Sequence, residues 1–157
     1  MSVEAQKDKF LNVTPPAAAW DNATVTANVI DTLGYDYCRI IVSLGAIDTA
    51  LTGMKVQESD TKSNTTALTS GADVTGLVYG TSNGISGSAS ALPSSTTDNN
   101  LYAFEIDCRQ RKRYLLPVIT VPDGTITAFA SIVAQLSRAK IVPVSASDRG
   151  FGEILRV

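Results

Sequence analysis

The chain has 157 residues, 44% of them hydrophobic and 18% charged, with a formal charge of −2 and a pI near 5.0. That length and composition fit one ordered globular domain with its own core, and the acidic balance gives no global pull toward nucleic acid. There is no histidine, which removes the commonest general base, the commonest metal ligand and any imidazole-dependent triad.

Residues 1–21 read as an N-terminal arm. Lys7, Asp8 and Lys9 suit solvent, Pro15-Pro16 stiffens the path against helix, and Phe10 and Trp20 stand as isolated anchors. Trp20, the only tryptophan, fits either a core-edge position or a plug in a neighbouring subunit. No apolar run reaches signal-peptide or membrane-span length. The expectation is a soluble product of the cytoplasm, with no membrane association.

From residue 22 onward the pattern is that of strands. Ala23, Val25, Ala27 and Val29 alternate with polar neighbours, predicting a one-sided strand over 22–29. After a turn at 31–34, Cys38, Ile40, Val42 and Leu44 share one face of a second strand; Met54 and Val56 mark a third. Between 61 and 100 the composition shifts to Ser, Thr, Gly and Asn. An apolar island at 74–79 predicts a strand near a sheet edge, and 80–100 reads as a long surface loop. The glycines at 80, 84 and 87 lack the spacing and the following lysine of a phosphate cradle.

Residues 101–121, LYAFEIDCRQRKRYLLPVITV, organise the rest. Tyr102, Phe104, Ile106 and Cys108 fall on one face of a strand, with Glu105 and Asp107 on the other. The second arm is apolar on both faces, since Tyr114, Leu116 and Val118 oppose Leu115, Ile119 and Val121, so both faces need cover. Between the arms Arg109, Arg111, Lys112 and Arg113 form a basic connection, read as a hairpin turn. Residues 125–138 alternate as a strand, while Phe129, Ile132, Val133 and Leu136 also fit a helical stripe; Pro122-Asp123-Gly124 before them suggests another hairpin, so the strand is the expectation. The tail, 140–157, runs over the surface, with one short strand expected around 141–144. The sum is an all-β chain: an antiparallel β-sandwich, jelly-roll-like, over 22–139, between an N-terminal arm and a C-terminal tail.

Three readings of the basic connection stand side by side. Its cations pair with Glu105, Asp107 or nearby sheet; they dock on acidic surface of a partner protein; or they bind nucleic acid, for which Tyr114 is the only stacking platform. With Phe10, Trp20, Arg149 and Phe151, Arg109, Arg111, Lys112 and Arg113 make the set of candidate partner-binding residues. Cys38 and Cys108 are either buried reduced thiols or one bridge between neighbouring strands, without redox or zinc spacing. A lectin-type calcium loop has one candidate, Asp98-Asn99-Asn100. No catalytic set, cofactor or small-molecule substrate is expected.

The blocks DTLGYDYCRIIVSLG (31–45), MKVQESD (54–60), FEIDCRQRKRYLLPVITV (104–121) and AQLSRA (134–139) resemble, in content and order, the capsid cement or head decoration proteins of tailed bacteriophages. The resemblance covers about a third of the chain, and the Ser/Gly-rich segment 80–100 departs from it. It implies a β-sandwich or jelly roll on the outside of a phage head, made in the host cytoplasm. There it would clamp neighbouring major capsid subunits as a homo-oligomer, a dimer or trimer, without binding nucleic acid directly. The alternative is a receptor- or carbohydrate-binding module of a tail fibre or secreted protein. That would need a calcium loop or exposed aromatics, Tyr79 and Phe151 being the candidates.

Overall fold

The computed structural model describes residues 7–16, 19–80, 91–123, 128–141, 143 and 145–155. Nine strands are present among the described residues: β1 Lys9–Thr14, β2 Ala23–Thr24, β3 Ile30–Asp31, β4 Tyr35–Leu44, β5 Gly53–Ser59, β6 Ala72–Val78, β7 Leu101–Asp107, β8 Tyr114–Val121 and β9 Ala130–Ala139. Among the described residues there is no α-helix, and a 3-10 turn lies at Cys108–Gln110.

The strands form two antiparallel sheets, in the orders β1-β9-β4-β7 and β2-β8-β5-β6, with β3 also on β8. Taking β2 and β3 as two pieces of one strand, the chain changes sheet at every connection except β5 to β6, as two interlocked Greek keys require. This is the eight-stranded jelly roll, and it gives the expected sandwich a definite topology. Period-two alternation builds its core. Cys38, Ile40 and Val42 on β4, Met54 and Val56 on β5, Leu115 and Ile119 on β8, and Ile132, Ala134 and Leu136 on β9 are all buried between the sheets.

Two connections read as hairpins are something else. Among the described residues β7 pairs only with β4, and β8 pairs with β5, β2 and β3. The basic connection is therefore an arch that carries the chain from one sheet to the other. The same holds after β8, because β9 pairs with β4 and β1. The strand over 125–138 is present from Ala130, but its hairpin is not; residues 124–127 lie outside the described set.

The one-sided strand predicted over 22–29 is interrupted. Only Ala23–Thr24 and Ile30–Asp31 pair with β8, at its two ends. Thr52 N–H donates to the Thr120 carbonyl from the β5 side, and Val25 N–H donates to the Ile119 carbonyl from the other. Odd positions of β8 thus turn toward β2 and β3, and at Pro117 that side has no N–H to offer. Opposite that gap the chain leaves the sheet. Asn28 N–H donates to Val13 O and Thr14 Oγ1 to Thr26 O (2.9 and 3.2 Å), closing the flank between β1 and β8, while Val25 and Ala27 stay buried.

The apolar island forms β6, at a sheet edge as expected. Half of the predicted long loop is firmly tied. Pro93 is buried and its carbonyl accepts Leu51 N–H, Leu92 packs on the core, and Tyr102 donates its hydroxyl to the Thr97 carbonyl. Residues 81–90 lie outside the described set. The strand expected around 141–144 is absent where it is described, with Ile141 87% exposed; Val142 and Val144 lie outside the described residues.

Candidate protein-contact surfaces

The basic arch lies beside the β3–β4 turn and the end of β9, around a cleft of about 420 Å³. Three of its four cations are answered by carboxylates. Arg113 forms a two-pronged pair with Asp31, Nε to Oδ1 at 2.9 Å and Nη2 to Oδ2 at 2.7 Å. Its carbonyl also takes Thr32 N–H and Thr32 Oγ1, so Arg113 ties the start of β8 to the β3–β4 turn. Arg109 pairs with Asp107, and Arg111 with Glu58 at 3.6 Å. Glu105, the other expected partner, pairs with Arg39 across β4 and β7. Hydrogen bonds from Arg113 hold the Asp31 carboxyl below its usual range against the opposing effect of burial, and Arg109 does the same for Asp107.

Lys112 differs from its neighbours. Its backbone N–H donates to Glu58 Oε2 at 3.1 Å, which fixes the arch. Among the described residues its exposed ammonium has no carboxylate partner. The Tyr114 ring, the only platform open to a nucleic-acid reading, lies under Arg113 and Lys62 at 4.8 and 5.4 Å from its centroid. It is half covered from within the protein. The apolar outer face of β8 is covered similarly, since Leu116 and Val118 lie opposite Gln57 and Lys55, which bond to Asp73.

A second surface brings together Phe10, Arg149 and Phe151. Phe10 N–H donates to the Arg149 carbonyl at 2.8 Å, and the Phe10 and Phe151 rings lie 5.1 Å apart. Arg149 is buried at 7% exposure, its guanidinium toward the Asp8 carbonyl and over the Phe151 ring. Gly150 makes this closeness possible. Its φ is +82°, and a Cβ there would meet the Phe10 carbonyl oxygen at 1.6 Å. The arm and the tail, read from sequence as separate extensions, thus dock on each other. Beside them an apolar groove of about 330 Å³ runs between Phe10, Leu11, Pro16, Val133 and Phe151.

Trp20 belongs to neither surface. It bridges to Ala128 through paired backbone hydrogen bonds, and its ring packs on the core margin. Tyr79, read as exposed, is turned inward, edge-on to Tyr102 and Phe104 at 5.9 and 5.3 Å. Asp98 is engaged in the fold, its Oδ2 accepting Ile47 N–H and its Oδ1 accepting from Asn99. No group of three His, Cys, Asp or Glu suited to a metal occurs among the described residues. Cys38 and Cys108 are free and buried. Burial raises both thiols, Cys108 to about 11 with help from Asp107 and Asp36.

Sequence reading passed over Phe129 and Leu101, which are 54% and 72% exposed. The signal was present: Leu101 is out of phase with the buried positions of β7, and Phe129, just before β9, is out of phase with those of β9, so each faces outward. Comparisons with protein-family profiles, with curated proteins and with solved structures find no match to this chain.

Proposed function

We propose that the chain is a structural virion protein, a cement or decoration protein that sits on the outside of a phage head and joins neighbouring major capsid subunits. The observation that carries a protein-binding role is the groove between β1, β9 and the tail. It is concave and mostly apolar, lined by Phe10, Val133 and Phe151. Lys112, projecting from an arch whose other cations are paired, adds a positive contact at another part of the surface. The phage head as partner rests on the resemblance of the four sequence blocks. Weak contacts of this kind, repeated around a shell, add up through multivalency. The carbohydrate-binding alternative has less support, since Tyr79 is turned inward and Asp98 is used by the fold.

Purified heads lacking the protein provide the test. Added wild-type protein should saturate them at a fixed ratio per major capsid subunit and raise their tolerance of heat. Lys112→Glu should lower occupancy with a Tm within about 2 °C of wild type, the range expected of an exposed substitution. Heads that ignore the protein would overturn the proposal.

A further inference from the structure

The two sheets have four edges, and three are blunted in ways that prevent pairing with another chain. β1 carries a bulge between Asn12 and Thr14 and is covered by the tail and by Asn28. β2 and β3 are two residues each. β6 has a register shift opposite Lys55–Gln57 and a left-handed Gly76 at φ +87°. The fourth edge, β7, has no bulge and no break, and among the described residues its open side is touched only by the Tyr79 hydroxyl. It is seven residues long, pairs with β4 without a break from Leu101 to Asp107, and holds neither proline nor glycine.

The direction of its edge groups follows from the ladder. Leu44 N–H donates to the Asn100 carbonyl, so Ser43 and Leu101 form a pair that exchanges no hydrogen bonds with each other. The backbone groups of Leu101, and by alternation those of Ala103, Glu105 and Asp107, therefore point away from β4. The Tyr79 hydroxyl reaches the Ala103 carbonyl from that side, at 3.5 Å. Among the described residues these four N–H groups have no backbone partner outside β7. Their side chains are all exposed, Leu101 at 72%.

We infer that β7 pairs antiparallel with β7 of a second copy, joining two four-stranded sheets into one of eight. The residues select the register. Centred on Phe104, the two-fold sets Leu101 of one copy opposite Asp107 of the other, and Ala103 opposite Glu105. All the outward groups are used, about eight hydrogen bonds in an ideal ladder, and no acid faces an acid. Centring on Glu105 would oppose two carboxylates, and centring on Ala103 would leave Asp107 unpaired. An isologous pairing of this kind closes as a dimer and leaves no edge for a third copy. The inference specifies the homo-oligomer within the proposed function and is independent of the capsid partner.

Light scattering coupled to size exclusion should give twice the chain mass for wild type, and the chain mass for Ala103→Pro. The Ala103 N–H faces outward, so proline there spares the bonds to β4. Cross-linking avoids dependence on that variant. In the Phe104-centred register the Cα atoms of Ala103 and Glu105 lie about 5.5 Å apart across the dimer, within disulfide reach. Equal parts of Ala103→Cys and Glu105→Cys protein should therefore cross-link under mild oxidation, and neither should do so alone, because like positions lie about 7–8 Å apart. A monomer, a trimer, or a dimer without the mixed cross-link would overturn the inference. A cross-linked dimer that fails to bind heads would uphold it and overturn the capsid reading instead.

Discussion

Gly150→Ala should release the C-terminal tail from β1 while leaving the sandwich folded. An alanine at φ +82° pays about 1–2 kcal/mol for the left-handed conformation alone. Its Cβ would also lie 1.6 Å from the Phe10 carbonyl oxygen, a backbone atom on a sheet strand that no rotamer change can move. Relieving the clash breaks the 2.8 Å bond from Phe10 N–H to Arg149, a net loss of about 0.5–1.5 kcal/mol. It also separates the Phe10–Phe151 rings, worth about 0.5–1.5 kcal/mol beyond their buried area. The docked tail therefore loses about 2 kcal/mol or more, which raises its open population about thirtyfold. Trypsin reads that population directly when opening is fast relative to cleavage. Arg149, buried in the docked tail, becomes a cleavage site, and cleavage there should accelerate by at least about tenfold. Cleavage after Arg149 no faster than in wild type would refute the clash argument. A collapse of the whole fold would show that the tail is part of the core rather than docked on it.

The remaining expectations concern the arch and the thiols. Asp31 titrates below its usual range through Arg113, so the pair stabilises the fold above the unfolded carboxylate pKa of about 3.9 and loses that contribution as pH falls through the lower folded value. Arg113→Ala should lower Tm by about 2 °C at pH 7, less in high salt, and flatten the loss of Tm between pH 4 and acid; an unchanged acid limb would exclude the pair as its source. With Cys108 pushed up to about 11, only about one thiol in a thousand is ionised at pH 8. Both thiols should stay silent to a chromogenic disulfide reagent in native protein and titrate fully in guanidinium, and prompt reaction of either in native protein would contradict their burial.

Strand existence and facing were legible in sequence because alternation records which side of a strand meets the core. It assigned the buried faces of β4, β5 and β7 correctly, whereas β8, apolar on both faces, left its core side open; Leu115, Ile119 and Val121 are the buried set. Strand partners were not legible, because a turn sequence such as Pro122-Asp123-Gly124 suits a reversal within one sheet and an arch between two alike. The break in the 22–29 strand is a nonlocal effect: its cause, Pro117, lies nearly a hundred residues away and is visible only once β8 is placed beside it. Of the candidate contact residues, Phe10, Arg149 and Phe151 come together only because Gly150 allows their backbones to meet. Arg109, Arg111 and Arg113 could be read as a basic cluster, but not as three pairs, since Asp31 and Glu58 approach from other strands.

The pairing of β1 also sets an order of assembly. Among the described residues its only sheet partner is β9, with Lys9 opposite Leu136, so β1, made before the other eight described strands, waits for the latest of them before it has a ladder to join. β4 waits similarly for β7 and β9, while β5 and β6 have a local partner in each other. A chain closed across nearly its whole length folds slowly for its size, and the first sheet is completed only after synthesis has passed β9. Until then β1 and β4 are exposed strands in a crowded compartment. Low temperature during expression, or a chaperone that holds unpaired strands, should raise the soluble yield more than any substitution on the finished surface.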